Sequence, residues 1–336
     1  MIKIKEYIEW ANSGQNRIVN LMKGIGILLV IMGHFYPNIY INSFIRSFHM
    51  PLFFILGGLF YSITDFRSSL RSNYNRLLKP FFICALMCII GLFITGSKGR
   101  SFANVVLPYI IMNRGDQDLL PFFQVPKMFG LWFLPAIFWC KLCYNWIMRI
   151  TEKSVVGGGV LIVVISILSV LTDRYLINLP FCIMPGLSAM IFYLIGNLYY
   201  KNKTKAICMP ILIICLICWP FAMVFSHLRM VDCYYENYLL DVMGACGGVY
   251  FIFLMSKLII RFKVLSSILV WIGRLSLCFY CIHCIDFTIF PDYRIGAIHW
   301  TVVYGIKVCI YSLLVYIASN LSVFRRLFGI KYFVNA

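Results

Sequence analysis

Charge is scarce in this sequence. Of its 336 residues only 12% are charged, 62% are hydrophobic, and the mean hydropathy is +0.86. A water-soluble domain has about 25% charged residues, because its surface has to be hydrated. The chain has too few charges to cover a soluble particle of its size. This excludes a soluble enzyme or binding module and predicts an integral membrane protein.

Acidic residues are the scarcest charged type, with 12 Asp and Glu against 30 Lys and Arg and a net charge of +18. The basic residues form short clusters between apolar runs and no continuous stripe, which argues against a nucleic-acid surface. Clusters of this kind are typical of loops held on the cytoplasmic side of a membrane. They also suit contact with anionic lipid or an anionic cofactor.

The sequence also lacks signs of a leader or of a second domain. Its first 16 residues are mixed polar and no small-residue cleavage site follows the first apolar stretch, so we expect no cleavable signal peptide. The longest loop, about 96–127, is too short for an independent core, although it could cap an outward-facing cavity. We therefore expect residues 1–336 to form a single transmembrane domain with no appended soluble domain.

Fourteen cysteines do not predict a disulfide framework, because nearly all fall inside predicted helices and Cys233 alone falls in a non-cytoplasmic loop. The run Cys278, Cys281, His283 and Cys284 has the spacing of a metal cluster. It lies within a predicted helix, where the three cysteines share one face, as small packing residues would. Packing is the favoured interpretation, and we expect no metal.

Membrane spans need about 20 mostly apolar residues, each bonded within its own helix. The fold class predicted is an all-α polytopic membrane protein with about ten transmembrane helices and both termini cytoplasmic. With that orientation, 19 Lys and Arg residues fall on the cytoplasmic side and 8 on the outer side, as the positive-inside rule requires. The predicted spans are 23–41, 46–62, 79–95, 128–148, 155–171, 181–199, 207–225, 238–257, 265–285 and 299–319.

Ionisable residues inside membrane spans are costly and usually mark a cavity or a partner. In the first predicted helix, Lys23 and His34 are 11 residues apart, so they project from one face about 16 Å apart. Lys23 at the cytoplasmic mouth suits the phosphates of an anionic cofactor, and His34 deeper in the membrane suits a general base. The alternative is a positive-inside anchor and a packing residue. Other ionisable residues in predicted spans are His49, Lys141, Asp241, Arg274, His283 and Lys307.

Two further helices could line the same cavity. His49 lies near the outer end of the second predicted helix, the end toward which His34 points. In the ninth, Ser276, Tyr280 and His283 are spaced to share a face. The polar groups there line a cavity or join helices by hydrogen bonds, and both interpretations stay open.

An ordered set of motifs resembles the acyltransferase 3 family of multi-spanning O-acyltransferases, in the branch related to sugar O-acetylases. It covers about residues 17–285. The segment from Lys23 to His34 is similar to the first-helix signature. The other matches are Phe48-His49-Met-Pro-Leu-Phe-Phe-Ile-Leu-Gly57-Gly58, Arg76-Leu-Leu-Lys-Pro80, Leu131-Trp132-Phe133-Leu134-Pro135, and Ile272-Gly-Arg-Leu-Ser276 with Tyr280 and His283.

This resemblance implies transfer of an acetyl or short acyl group from acetyl-CoA to a hydroxyl of a cell-surface glycan or lipid-linked sugar, at the cell membrane. It implies that His34 is catalytic and that Lys23 and Arg76 contact the donor. The mechanism we expect is direct transfer, with Arg71 joining Lys23 and Arg76 around the donor phosphates and His49 orienting His34 or the acceptor. An acetylated histidine intermediate is the rival scheme. Candidates for the substrate cavity are Asn20, Trp132, Ser276, Tyr280 and His283.

The chain departs from the family pattern at Asn20, where many members have an acidic residue. An amide cannot form an ion pair with Lys23 or Arg76, so the donor site could be organised differently. Rival functions are a secondary transporter or flippase for a glycan precursor and a catalytically inactive family member. A transporter of this kind predicts two related halves, and the sequence contains no such repeat.

Overall fold

The computed structural model describes residues 14–35, 38–95, 101–114, 127–128, 130–152, 154–175, 179–202, 208–290 and 299–328. These residues are almost entirely helical. Both chain ends and much of the predicted capping loop at 96–127 lie outside the described residues. The elements in chain order are α1 (Gly14–Met32), α2 (Ile39–Arg46), α3 (His49–Leu59), α4 (Phe66–Asn73), a π-helix (Tyr74–Leu78), α5 (Lys79–Ile94), α6 (Phe102–Ile110), α7 (Phe133–Ile150), α8 (Val155–Tyr175), α9 (Ile183–Ser188), α10 (Met190–Asn202), α11 (Cys208–Phe225), β1 (Leu228–Arg229), a 3₁₀ turn (Met230–Asp232), β2 (Tyr234–Tyr235), α12 (Tyr238–Ile259), α13 (Lys263–Arg274), α14 (Ser276–Ile289), α15 (Trp300–Asn320) and α16 (Ser322–Phe328).

Five helical stretches in the described residues are long and apolar enough to cross a membrane, or six if α13 and α14, bent by 70°, count as one span. The five are Ile39–Leu59, Phe66–Ile94, Val156–Tyr175, Tyr238–Ile259 and Trp300–Asn320. The apolar stretches Ile183–Tyr199 and Met209–Phe225 are shorter. The helices α1 and α7 contain charged residues, among them Lys23 and Lys141. A helical membrane architecture is thus confirmed, while ten spans and cytoplasmic termini stay predictions.

The first predicted span, 23–41, has the wrong boundaries. Helix α1 begins at Gly14 and ends at Met32, and a separate helix starts at Ile39. Lys23 therefore lies in the middle of α1 and not at the cytoplasmic end of the first helix, where the sequence placed it. The side chain of Asn38 caps α2 by accepting a hydrogen bond from the amide of Ile41. This cap starts a new helix within the hydrophobic segment that was predicted to be one span.

Glycines bring the central helices into close contact. A Cβ atom on Gly24 would overlap the carbonyl oxygen of Leu269, and one on Gly273 would overlap the carbonyl oxygen of Asn20. The backbones of α1 and α13 therefore approach each other more closely than larger residues would allow. Small residues at helix contacts have this role in membrane proteins, where close van der Waals packing replaces the hydrophobic effect.

Apolar side chains cover the outward faces of the long helices. Helix α15 exposes Val302, Ile306, Ile310 and Leu313, and helices α5, α8 and α11 expose similar rows. Lipid tails solvate such surfaces without cost, whereas water would not. Ionisable side chains are placed differently. Most of those that line cavities in the described residues lie between helices α1, α2, α3, α12 and α14 or on the β1–β2 hairpin, away from the lipid-facing surface.

Candidate active site

Five predicted site residues line one cavity of about 490 Å³, which we call the histidine cavity. Its size is that of a small-molecule pocket, roughly 300–1,000 Å³. It lies between the end of α1, the start of α3, the loop before α7, the hairpin and α14. The predicted residues that meet there are His34, His49, Trp132, Tyr280 and His283.

His34 lies in the turn that follows α1 and not within the helix, which corrects the prediction of an imidazole deep inside a span. The amide of Gly33 still donates to Leu29 four residues back, but the amide of His34 donates to Ile31 only three residues back. This tightening is typical of a helix end. The turn leaves the ring half-buried at the cavity wall, with its centroid 4.7 Å from that of Phe287.

His283 faces His34 from α14, with 5.0 Å between the ring centroids and 45° between the ring planes. It is 1% exposed, and its Nδ1 atom has no hydrogen-bond partner in the described part of the chain. Buried polar atoms in proteins almost always have partners, so an unpaired imidazole nitrogen on a cavity wall indicates a place for a ligand.

His49 has a defined tautomer. Its Nδ1 atom lies 2.7 Å from the carbonyl oxygen of Ile45, and a carbonyl only accepts, so Nδ1 carries the proton that is donated. The neutral ring then has its lone pair on Nε2. His49 is the first residue of α3 and lines the cavity half-buried. It can therefore accept a proton at Nε2 while its other nitrogen fixes the ring.

The loop before α7 is attached to α14 through Gly130. The hydroxyl of Tyr280 donates to the carbonyl oxygen of Gly130, and Gly130 has a φ angle of 59°. A Cβ atom there would come 2.8 Å from Sγ of Cys284 and would also strain the backbone. Only glycine fits this position, and the attached loop sets Trp132 at the cavity wall.

A partly buried network of hydrogen bonds lies next to His283 on α14. The amino group of Lys307 donates to both carboxylate oxygens of Asp286, each at 2.7 Å, and the Tyr311 hydroxyl donates to the same carboxylate at 2.6 Å. The ring of Tyr311 lies 6.1 Å from that of His283. These charge-assisted bonds hold α14 against α15 and so fix the position of His283.

Basic side chains also line the histidine cavity, namely those of Arg46, Arg114, Lys127 and Arg229. Arg114 forms a buried ion pair with Asp173. Arg114 and Lys127 both belong to the predicted capping loop at 96–127, so described parts of that loop reach the cavity.

The predicted donor contacts lie elsewhere. Lys23, Arg76 and Lys141 form a group that we call the cation cluster, because the charges of Arg76 and Lys23 both act on Lys141. None of the ion pairs in the described residues includes them. Cations gathered without a carboxylate repel one another, and a bound anion relieves that repulsion. Arg76 lies in the π-helix, a rare element that is frequent at functional sites.

Three of the predicted site residues neither line the histidine cavity nor belong to the cation cluster. Arg71 is exposed on α4, five residues and little more than one helical turn before Arg76 of the cation cluster. Asn20 is half-buried where α1 contacts α13, with its carbonyl oxygen against Gly273. Ser276 is the first residue of α14 and does not reach the histidine cavity with Tyr280 and His283.

Sequence reasoning missed Arg46, Arg114 and Lys141 as site residues. Arg46 stands three residues before His49, a proximity that could have found it. Lys141 was predicted within a span, and its charge was the signal. Arg114 carried no local signal, because its partner Asp173 is 59 residues away.

The described residues contain no group of three or more His, Cys, Asp and Glu that could hold a metal ion, and the 13 cysteines whose side chains the structure describes are free. Comparison with protein families gives one match: the model of the acyltransferase 3 family, described as an acyltransferase domain, matches residues 16–320. No curated protein and no solved structure matches the chain.

Proposed function

The chain belongs to the acyltransferase 3 family and is a multi-pass membrane acyltransferase, and we propose that it moves an acetyl or another short acyl group from acyl-CoA to a hydroxyl of a cell-surface glycan or a lipid-linked sugar. The single observation that carries this proposal is the meeting of His34, His49 and His283 on one cavity.

In the proposed reaction, a histidine of the cavity takes the proton of the acceptor hydroxyl. The hydroxyl oxygen attacks the carbonyl carbon of the thioester, the carbon–sulfur bond breaks, and CoA leaves as a thiolate that receives a proton. His34 is the proposed base, with His49 orienting it or the acceptor. General-base catalysis of this kind contributes about 10²–10⁴-fold. In the rival scheme the acyl group passes first to a ring nitrogen of His34 and then to the acceptor.

The cation cluster supports the donor assignment. CoA carries several phosphates, and Lys23, Arg76 and Lys141 have no carboxylate partner in the described part of the chain. Lys23 and Met32 are about 14 Å apart along the axis of α1, and His34 follows in the next turn. Acyl-CoA has its phosphates at one end and its thioester at the other end of an extended arm. Its length therefore suits phosphates bound at the cation cluster and a thioester at His34.

The proposal includes a location. The excess of basic residues in alternate loops supports ten spans with both termini cytoplasmic, in the cell membrane. The cation cluster then lies on the cytoplasmic side of the histidine cavity, toward the compartment where acyl-CoA is made, and the histidine cavity opens outward. O-acetylation during polysaccharide biosynthesis is the process that this orientation suits.

The test uses the full chain in sealed proteoliposomes with acetyl-CoA labelled in the acetyl group and with glycan and lipid-linked sugar extracted from the source cells. We expect release of free CoA thiol together with label in the glycan fraction, bound as an alkali-labile ester. Movement of the lipid-linked sugar across the bilayer with no labelled ester contradicts the proposal and supports the transporter.

A further inference from the structure

A second cavity of about 620 Å³ adjoins the histidine cavity, and we call it the hairpin cavity. It lies between α2, the end of α11, the β1–β2 hairpin and the first turn of α12. Arg46, Leu228 and Arg229 line both cavities. A ligand in the hairpin cavity therefore lies beside the wall that carries His34 and His49.

A buried carboxylate distinguishes this cavity. Asp241 is 3% exposed, and its Oδ2 atom has no hydrogen-bond partner in the described part of the chain. Ser226 and the backbone amides of Glu236 and Asn237 act as donors to the carboxylate, so the unfavourable part of its burial is the Oδ2 atom that they leave unpaired. On a cavity wall, that oxygen is placed to accept a hydrogen bond from a ligand.

The other charges of the cavity are largely matched with each other. Nδ1 of His227 lies 2.7 Å from a carboxylate oxygen of Glu236, and Arg229 lies 3.5 Å from the carboxylate of Asp232 and 5.0 Å from the centre of the Tyr234 ring. The carboxylates of Asp241 and Glu236 oppose a polyanion such as CoA. Ser43 on α2 and Ser47 directly after it also line the cavity, and the Ser47 hydroxyl already donates to the carbonyl of Phe44 and accepts from Trp219, which leaves Ser43 as the hydroxyl open to a ligand.

A neutral, hydroxyl-rich molecule fits this lining best. Hydroxyl groups on neighbouring ring carbons donate to a carboxylate, accept from arginine and serine, and present C–H faces to Tyr234. We propose that the hairpin cavity holds a sugar ring of the acceptor, with Asp241 accepting hydrogen bonds from its hydroxyls, so that a neighbouring hydroxyl reaches the histidine cavity. That the bound sugar is the acceptor of an acyl group rests on the proposed function. The binding of the sugar can be measured without an acyl donor and without turnover.

The experiment measures binding of three probes, methyl β-glucoside, methyl β-galactoside and methyl N-acetyl-β-glucosaminide, to the full chain in nanodiscs by calorimetry without acyl-CoA. The variant Asp241→Asn removes the charge, and Ser43→Phe fills the cavity without changing a charge. Glu152→Gln is the matched control, since Glu152 is an exposed carboxylate beside Arg149 and Asp65 in a different pocket. Thermal unfolding of each variant in the same nanodiscs reports folding.

We expect at least one glycoside to bind the wild-type protein and Glu152→Gln equally. It should bind Asp241→Asn and Ser43→Phe about 10-fold to 100-fold more weakly, the range expected for lost hydrogen bonds to a charged group. Wild-type affinity in both cavity variants overturns the proposal, as does failure of all three glycosides to bind the wild-type protein. Glycoside binding of the expected pattern without any acyl transfer would refute the proposed function and leave the hairpin cavity as a sugar site.

Discussion

The imidazole rings of His34 and His283 lie 5.0 Å apart between centroids, and the ring of Phe287 packs within 4.7 Å of the first and 6.1 Å of the second. One histidine stands in the turn after α1 and the other on α14. Since Asp286, one residue before Phe287, is held by Lys307 and Tyr311, the position of the pair is set by α15 as well.

His34→Ala should reduce acyl transfer by about 10²–10⁴-fold, because it removes the proposed base. The side chain is half-buried on a cavity wall, so its loss leaves the packing of α1 intact and the amount of inserted protein unchanged. The measurement is labelled ester formed per inserted protein. His299→Asn is the control, since an asparagine can still cap α15 as His299 does. Near wild-type transfer by His34→Ala would remove this histidine from the mechanism.

Two substitutions at His49 separate orienting from proton transfer. Asn can keep a donor near the Nδ1 position for the Ile45 carbonyl, whereas Gln places its amide near the Nε2 position and loses that bond. If His49 orients its neighbours, His49→Asn should stay within about tenfold of the wild-type rate and His49→Gln should fall further. Initial rates at saturating donor give the comparison. A fall in His49→Asn as deep as in His34→Ala would make Nε2 of His49 the base.

The sequence predicted the helical membrane class because that depends on average hydrophobicity, which a long window measures well. It could not predict that α1 ends at Met32, because residues 23–41 are hydrophobic throughout most of their length. The break depends on local contacts, namely the hydrogen bond of the His34 amide to a carbonyl only three residues back and the cap supplied by Asn38.

The residues of the candidate site could likewise be predicted where composition alone marks them, and not where they depend on contacts of the folded chain. Histidines within apolar segments are conspicuous, and His34, His49 and His283 could be predicted because their cost in a membrane demands a reason. Asp241 was conspicuous for the same reason, but its cavity depends on the β1–β2 hairpin, whose register of Leu228 with Tyr235 has no pattern long enough to recognise. The pairing of Arg114 with Asp173 joins distant segments and requires the folded chain.

Removing a cation from the cluster should weaken donor binding more than it slows turnover. We expect Lys23→Ala and Lys141→Ala each to raise the KM for acetyl-CoA about tenfold, as loss of a charge-assisted phosphate contact does, with a smaller change in kcat. Lys257→Ala is the control, because Lys257 is exposed and lies 4.7 Å from the ring centre of Phe253. An unchanged KM in both cluster variants would contradict the phosphate role.

The proposed orientation predicts where reporters become accessible. Fusions at 67–76, 201–205 and 261–263 should report the cytoplasm, and fusions at 98–120 and 226–236 should report the outside. The last segment includes the hairpin, so its signal also tests whether the sugar site faces outward. An outside signal from the segment at 67–76 would invert the topology and place Arg71 and Arg76 away from cytoplasmic acyl-CoA.

The contact between α1 and α13 should depend on its glycines. In Gly273→Ala the new methyl group meets the backbone of Asn20, and neither helix can yield without moving the other, so we expect a loss of about 1–3 kcal/mol in the free energy of unfolding. Gly305→Ala is the matched control, since a Cβ atom on Gly305 meets nothing within 4 Å.

Because Gly24 follows Lys23 directly, displacement of α1 at this contact also moves the cation cluster. Gly273→Ala should therefore raise the KM for acetyl-CoA at temperatures where the protein remains folded, while Gly305→Ala should change neither stability nor KM. Thermal unfolding in nanodiscs and donor saturation, measured on the same preparations, give both quantities. Equal stability of Gly273→Ala and Gly305→Ala would mean that α1 and α13 can move apart without cost. In that case the close approach of these two helices does not position Lys23.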